Sequence, residues 1–205
     1  MNNFEYIISS LPVLSPEYRY APGESFAQTV SAIREQLSAK DARVLDFLLK
    51  GFDAESLTED FYSEALSHPD GFIREYFLFD MNLRNAKVRY LNGKLGRPAG
   101  MDVMDLDPEG LQPPQPEFRE AARTDAALEL TDLLSRERAL DDVTWEKLDE
   151  MAAFHYFDLT AVLVFVARLH IADRWLSLDR ESGKEMFRRL VDEVRGTYKG
   201  VNYTE

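Results

Sequence analysis

Phe72-Ile73-Arg74-Glu75-Tyr76-Phe77-Leu78-Phe79-Asp80-Met81-Asn82-Leu83-Arg84-Asn85-Ala86-Lys87-Val88-Arg89-Tyr90-Leu91 is the stretch whose reading decides the fold. Phe72, Tyr76, Phe79, Leu83, Ala86 and Tyr90 step by four and three along one face, and Ile73, Phe77, Met81, Val88, Leu91 and Leu95 line a second face beside it. The spacing predicts a helix from about Phe72 to Gly93 or Gly96, contacted from two sides. At ~100° per residue, Asp80, Arg84 and Lys87 fall between the apolar faces as a structural polar cluster, in which Asp80 and Arg84 can pair. If that burial is complete, Asp80→Ala orphans a cation at a cost of about 3 to 5 kcal/mol, and Arg84→Met should recover part of it. Asn82, Asn85, Arg89 and Asn92 occupy the remaining polar side. The first three are candidate partner contacts, weighed against a merely solvated face.

Outward from this helix the pattern stays helical. Ser25 and Gln28 form a capping box ahead of Phe26, Val30, Ile33 and Leu37, which predicts a helix over 25–38 after an irregular or extended start through Pro22. Asp41 can cap a second helix whose Val44, Leu45, Leu48 and Leu49 form a stripe ending at Gly51. A shorter one carries Leu57, Phe61, Tyr62 and Ala65 up to the turn at His68-Pro69-Asp70-Gly71. Downstream, helices are expected over 116–134, with a break near Thr124, and over 142–154, with Trp145, Leu148, Met151 and Ala152 inward. Asp158 is placed to cap Leu159 to Leu169, which is apolar nearly all round and reads as a central core helix. Asp179 caps a last helix with the stripe Met186, Phe187, Leu190, Val191 and Val194. No segment alternates with period two, so the expected fold is all-α, a helical bundle.

A faint echo runs through this bundle. Phe79-Asp80-Met81-Asn82-Leu83 recurs seventy-eight positions later as Phe157-Asp158-Leu159-Thr160-Ala161, with Val88 and Leu91 matching Val166 and Leu169, and Tyr76 matching Phe154. The echo suggests two weakly related helical repeats. Between them, residues 97–116 hold five of the nine prolines and the acidic run Asp102, Asp105, Asp107 and Glu109. The chain is therefore read as an N-terminal helical half (1–96), a Pro-rich acidic linker (97–116) that Met101, Val103, Met104 and Leu106 could pin to the body, and a C-terminal helical half (117–205). A unit used twice builds two packing surfaces, which favours an interaction protein over an enzyme.

Composition narrows the classes. With 205 residues the chain can bury about 70% of its unfolded surface without staples. A net charge of −13 repels nucleic acid and anionic lipid alike. The absence of cysteine excludes disulfides, thiolate metal sites and a Cys nucleophile. No stretch reaches the ~20 apolar residues of a membrane span, and the start does not read as a secretion signal, so a cytoplasmic location is expected without direct membrane insertion.

Catalytic signals are sparse. His68 reads as a turn residue. His155 lacks a second histidine at metal-binding spacing, and His170, beside Arg168, Asp173 and Arg174, reads as a polar cluster at the core edge. Glu59-Asp60, Asp141-Asp142 and Asp149-Glu150 read as solvated faces and helix starts, since adjacent helical residues diverge by about 100°. Trp145 and Trp175 read as core, although a partly exposed Trp could anchor an interface. Nothing matches a P-loop, a dinucleotide fingerprint or a nucleophile elbow, and neither cofactor nor metal is expected. A less favoured alternative is a small-ligand binder or enzyme with a site near His155, His170, Asp173 and Arg174.

The segment Phe79 to Leu91, with its acidic residue, asparagine and basic-apolar end, resembles the repeated helical element of the C-type, stalk-seating subunit of bacterial and archaeal V-type (A-type) ATPases, which has a counterpart in the eukaryotic enzymes. The wider pattern, from Phe4-Glu5-Tyr6-Ile7-Ile8-Ser9-Ser10-Leu11-Pro12 to Arg174-Trp175-Leu176 and Gly183-Lys184-Glu185-Met186-Phe187, resembles an uncharacterised bacterial family encoded with V-type ATPase genes. The resemblance implies a non-catalytic subunit or accessory protein that seats the central stalk on the membrane rotor ring, peripheral to the membrane through the complex. Proteins of the C-type family have three such repeats and this chain at most two, which leaves an assembly factor or a regulator open. A helical adaptor unrelated to rotary ATPases fits the same residues.

Overall fold

Residues 4–14, 25–106 and 116–177 are described in the computed structural model. Among them the fold is all-α, with eight α-helices and no strand. The helices are α1 (Phe4–Ser9), α2 (Phe26–Gln36), α3 (Ala39–Lys50), α4 (Glu59–Leu66), α5 (Gly71–Leu95), α6 (Ala121–Leu128), α7 (Leu133–Ala152) and α8 (Leu159–Ser177). The expected helix after Asp179 lies outside the described residues.

Local chemistry sets most of the ends. Ser25 and Gln28 form the reciprocal capping box on α2. The cap of α3 is Ser38 rather than Asp41: its hydroxyl accepts from the Asp41 N–H and donates to the Asp41 carboxylate, so Asp41 is a first-turn partner of the cap. Thr58 and Asp70 cap α4 and α5, and Gly96, at φ 64°, closes α5 in the left-handed conformation that glycine adopts without strain. Gly51 ends α3 for a different reason. Its φ is ordinary, but a methyl group there would overlap the Phe77 ring.

Three boundaries differ from the sequence reading. The start is helical, because Phe4, Ile7, Ile8 and Leu11 recur at helical spacing and bring Ile7 into the core. A six-residue helix persists only through such packing, here on α8. Helix α6 runs through Thr124, which is buried, and breaks instead at 129–132. Helix α7 begins at Leu133, not at 142, because the Asp132 side chain accepts from the Ser135 N–H (2.7 Å) and the polar run that follows is made of good helix formers.

Helix α8 is the axis of the molecule. Val162, Leu163, Val164, Val166, Ala167, Leu169, Ile171 and Ala172 are buried, and α1, α2, α3 and α7 all pack on it. The main core therefore draws on both stretches that the sequence divides at 97–116. Helix α5, ~37 Å long at 1.5 Å per residue, is held from two sides. Ile73 and Phe77 enter the main core, whereas Phe79 and Leu83 join Ala127, Leu128, Leu140 and Val143 in a second cluster against α6 and α7.

The sequence echo does not mark equivalent places in these helices. Asp80 lies inside α5, while Asp158 precedes α8 and caps it through the Ala161 N–H (3.1 Å). Leu91 is exposed where its counterpart Leu169 is fully buried, and Phe154 is 90% exposed where Tyr76 is half-buried. The register drawn from the echo is thus corrected: the matched side chains face different surroundings.

Candidate interaction surface on the long helix

The polar side of α5 is divided between two tasks. Asn85 and Asn92, seven residues and nearly two full turns apart, share one face. Both are buried, and both hold the chain that follows the helix. Asn85 Nδ2 donates to the Met104 carbonyl (2.9 Å) and its Oδ1 accepts the Met104 N–H (2.9 Å), while Asn92 Nδ2 donates to the Met101 carbonyl (2.6 Å). Residues 97–106 are thereby clasped along α5, with Met104 and Leu106 against the core. Asp102 takes φ 58° within this strap, a left-handed conformation that aspartate tolerates better than most residues. Asn85 is therefore consumed within the chain and is not available to a partner, unlike the expectation for it.

Asn82 and Arg89 do reach an open surface. They line a groove of about 910 Å³ between α4, α5 and the strap, together with Ser63, Ser67, Arg74 and Met81. Arg74 is bound to the carbonyls of His68 (2.6 Å) and Pro69 (2.9 Å), which ties it to the turn ahead of α5. A neighbouring hollow of about 230 Å³ shares Glu75, Leu78 and Asn82 and adds Lys147, whose ammonium stands 2.9 Å from Glu75 and 3.3 Å from Glu150.

On the adjoining face, Arg84 Nε donates to Asp80 (2.7 Å), and the Tyr62 hydroxyl donates to the same carboxylate oxygen (2.5 Å). Burial and then the Asp80 charge push the Tyr62 phenol up, so it remains a protonated donor. The cluster is Asp80, Arg84 and Tyr62. Lys87 makes no ion pair among the described residues, and Tyr62 carries no sequence signal because it lies eighteen positions upstream on α4.

The same helical face continues past Lys87 to Leu91, Lys94 and Leu95. Leu91 is 52% exposed and Leu95 61%. Beside Tyr90 and Lys94 runs the α6–α7 turn. Lys94 Nζ stands 3.0 Å from Glu129, and Arg136 lies over the Tyr90 ring while donating to the Leu130 carbonyl. These contacts set Leu133 (68% exposed) and Leu134 (60%) at the same end of the bundle. Each pair is an exposed apolar site with charged neighbours.

The histidines do not converge. His155 pairs with Asp158 (2.6 Å) at the exposed turn before α8, His68 Nδ1 accepts the Asp70 N–H (3.1 Å), and His170 is stacked on Phe52 with ring centroids 4.2 Å apart and Phe26 edge-on. Burial lowers the His170 pKa, with Arg174 acting in the same direction. Asp141 belongs to this corner, although its sequence reads as a solvated helix start. It is buried and accepts from the Trp175 indole N–H (2.6 Å) and from Arg174. Arg168 reaches away to Asp149 and over the Trp145 ring. Among the described residues no group of three His, Cys, Asp or Glu gathers as a metal site, and no helix is long and apolar enough to cross a membrane.

No curated protein and no solved structure matches the chain. Residues 115–197, a stretch that takes in α6, α7 and α8, are similar to a family described as a protein of unknown function (DUF2764).

Proposed function

We propose that the chain is a non-catalytic subunit or accessory protein of a V-type rotary ATPase, acting where the central stalk is seated on the membrane rotor ring. The single observation that carries an interaction role is the apolar end of the bundle. Leu91 and Leu95, one turn apart on α5, and Leu133 and Leu134 at the start of α7 are each more than half exposed, a density of uncovered large apolar side chains that suits a contact surface. The resemblance of the α5 segment to the stalk-seating family supplies the choice of complex. Behind the α5 end, Phe79 and Leu83 pack with Ala127, Leu128, Leu140 and Val143, which ties α5 to α6 and α7 and gives the surface a packed backing.

Affinity purification of the tagged chain from native membranes tests this reading. Recovery of central-stalk and rotor-ring subunits, only partly stripped by modest salt, is the expected result, because apolar faces are screened less than rim charges. A chain recovered free of every ATPase component, while the complex itself stays intact, would point to a helical adaptor with another partner.

A further inference from the structure

Between Asp80 and Asp102 the chain carries five basic side chains, Arg84, Lys87, Arg89, Lys94 and Arg97, and no acidic one, in a protein whose net charge is −13. Arg84 is neutralised by Asp80 and Lys94 by Glu129. Lys87, Arg89 and Arg97 enter no ion pair among the described residues, and Arg89 and Arg97 are exposed. Lys87 shares its helical face with Leu91 and Leu95, and Arg97 follows directly on the Gly96 cap, so free positive charge lies at both ends of the exposed leucine pair.

From this complementarity we infer that the end of α5, at the exposed pair Leu91 and Leu95, docks an acidic amphipathic helix of a partner protein. Leu91 and Leu95 receive the partner's apolar face, and Lys87 and Arg97 meet carboxylates on its flanks. A lipid surface fits less well. Anionic headgroups would face the whole of an acidic protein, including Glu129 and Asp132 in the α6–α7 turn, the former paired with Lys94 of α5. A second copy of the chain would have to bring a matching acidic and apolar helix, and α5 itself is basic here. The inference rests on reading this end as an interaction surface, but not on which complex supplies the partner.

The test uses the full chain and a synthetic helical peptide of about 20 residues, ~30 Å long, with leucine on one face and glutamate on the other. Fluorescence anisotropy should show saturable binding. Leu91→Gln with Leu95→Gln should abolish it, and Lys87→Glu with Arg97→Glu should weaken it at least tenfold while conferring binding to the lysine-for-glutamate twin of the peptide. Circular dichroism and melting of each variant, all at exposed or half-buried sites, separate lost binding from lost folding. Equal affinity for the glutamate and lysine peptides, no binding of the glutamate peptide, stronger retention on phosphatidylserine vesicles, or self-association abolished by Leu91→Gln would each overturn the inference. Co-purification with the ATPase is scored separately, so either proposal can fail while the other stands.

Discussion

Replacing Asp80 by alanine tests how the polar cluster of α5 is held together. The carboxylate is one-fifth exposed and its partner Arg84 about half exposed, so an orphaned guanidinium is resolvated by water. The 3 to 5 kcal/mol cost of a stranded buried cation therefore does not apply, and an exposed pair four residues apart contributes about 0.3–0.5 kcal/mol. Tyr62 differs: its residue is fully buried, and its hydroxyl loses a bond to a charged acceptor, an interaction of about 1.5–3 kcal/mol. Asp80→Ala should thus cost about 2–3 kcal/mol, read as roughly a 4–12 °C fall in melting temperature for a chain of this size. Urea titrations of a double-mutant cycle assign the loss. Tyr62→Phe should couple to Asp80→Ala by at least about 1 kcal/mol, and Arg84→Met by less than about 0.5. Stronger coupling to Arg84 than to Tyr62 would refute the reasoning and return the cation to the centre of the cluster.

Three further outcomes are expected. Asn85→Ala leaves the Met104 N–H and carbonyl without their partner, so urea titration should show a loss of about 2–3 kcal/mol, and limited proteolysis should open the strap first. Gly51→Ala should destabilise by about 1–3 kcal/mol through overlap with Phe77 despite alanine's better helix propensity, and Phe77→Leu should relieve it. A stabilising Gly51→Ala would show that the ring yields freely. His170 has a folded pKa below its unfolded value, so as pH falls through about 6.5 the unfolded chain binds the proton first and stability declines until the folded value is passed. His170→Phe, which keeps a ring against Phe52, should melt with a shallower dependence between pH 7 and 5 than the parent; an unchanged slope would remove His170 from the account.

What the sequence discloses is what depends on nearby residues. The capping box at Ser25, the packing of α5 from two sides as far as Leu83 and the apolar circumference of α8 are written at spacings of three and four, and each is found in the fold. What it conceals depends on distance along the chain. Asp141 meets Trp175 thirty-four positions away, and Tyr62 meets Asp80 across eighteen, so neither can be told from a solvated carboxylate or a core phenol by local pattern. Asn85 shows the same ambiguity on the candidate site: an asparagine on a polar helix face reads as a partner contact, yet its amide is spent on Met104. The exposed Leu91 and Leu95 read as core because periodicity marks a face as apolar without saying whether anything covers it.

The Asn92 clasp has a consequence for how the protein ages. Asn92-Gly93 is a sequence prone to deamidation, in which the glycine backbone nitrogen attacks the side-chain amide and ammonia leaves. Here Gly93 lies inside α5, where its N–H is committed to the helix ladder, and the Asn92 amide is buried against the Met101 carbonyl. Attack requires the helix end and the strap to open together. Once it occurs, water opens the cyclic imide to aspartate or isoaspartate, whose carboxylate has no proton to offer Met101 and repels that oxygen instead, so the strap cannot close as before. The clasp thus works as a chemical clock: each opening exposes the chain to an irreversible charge change at the foot of α5.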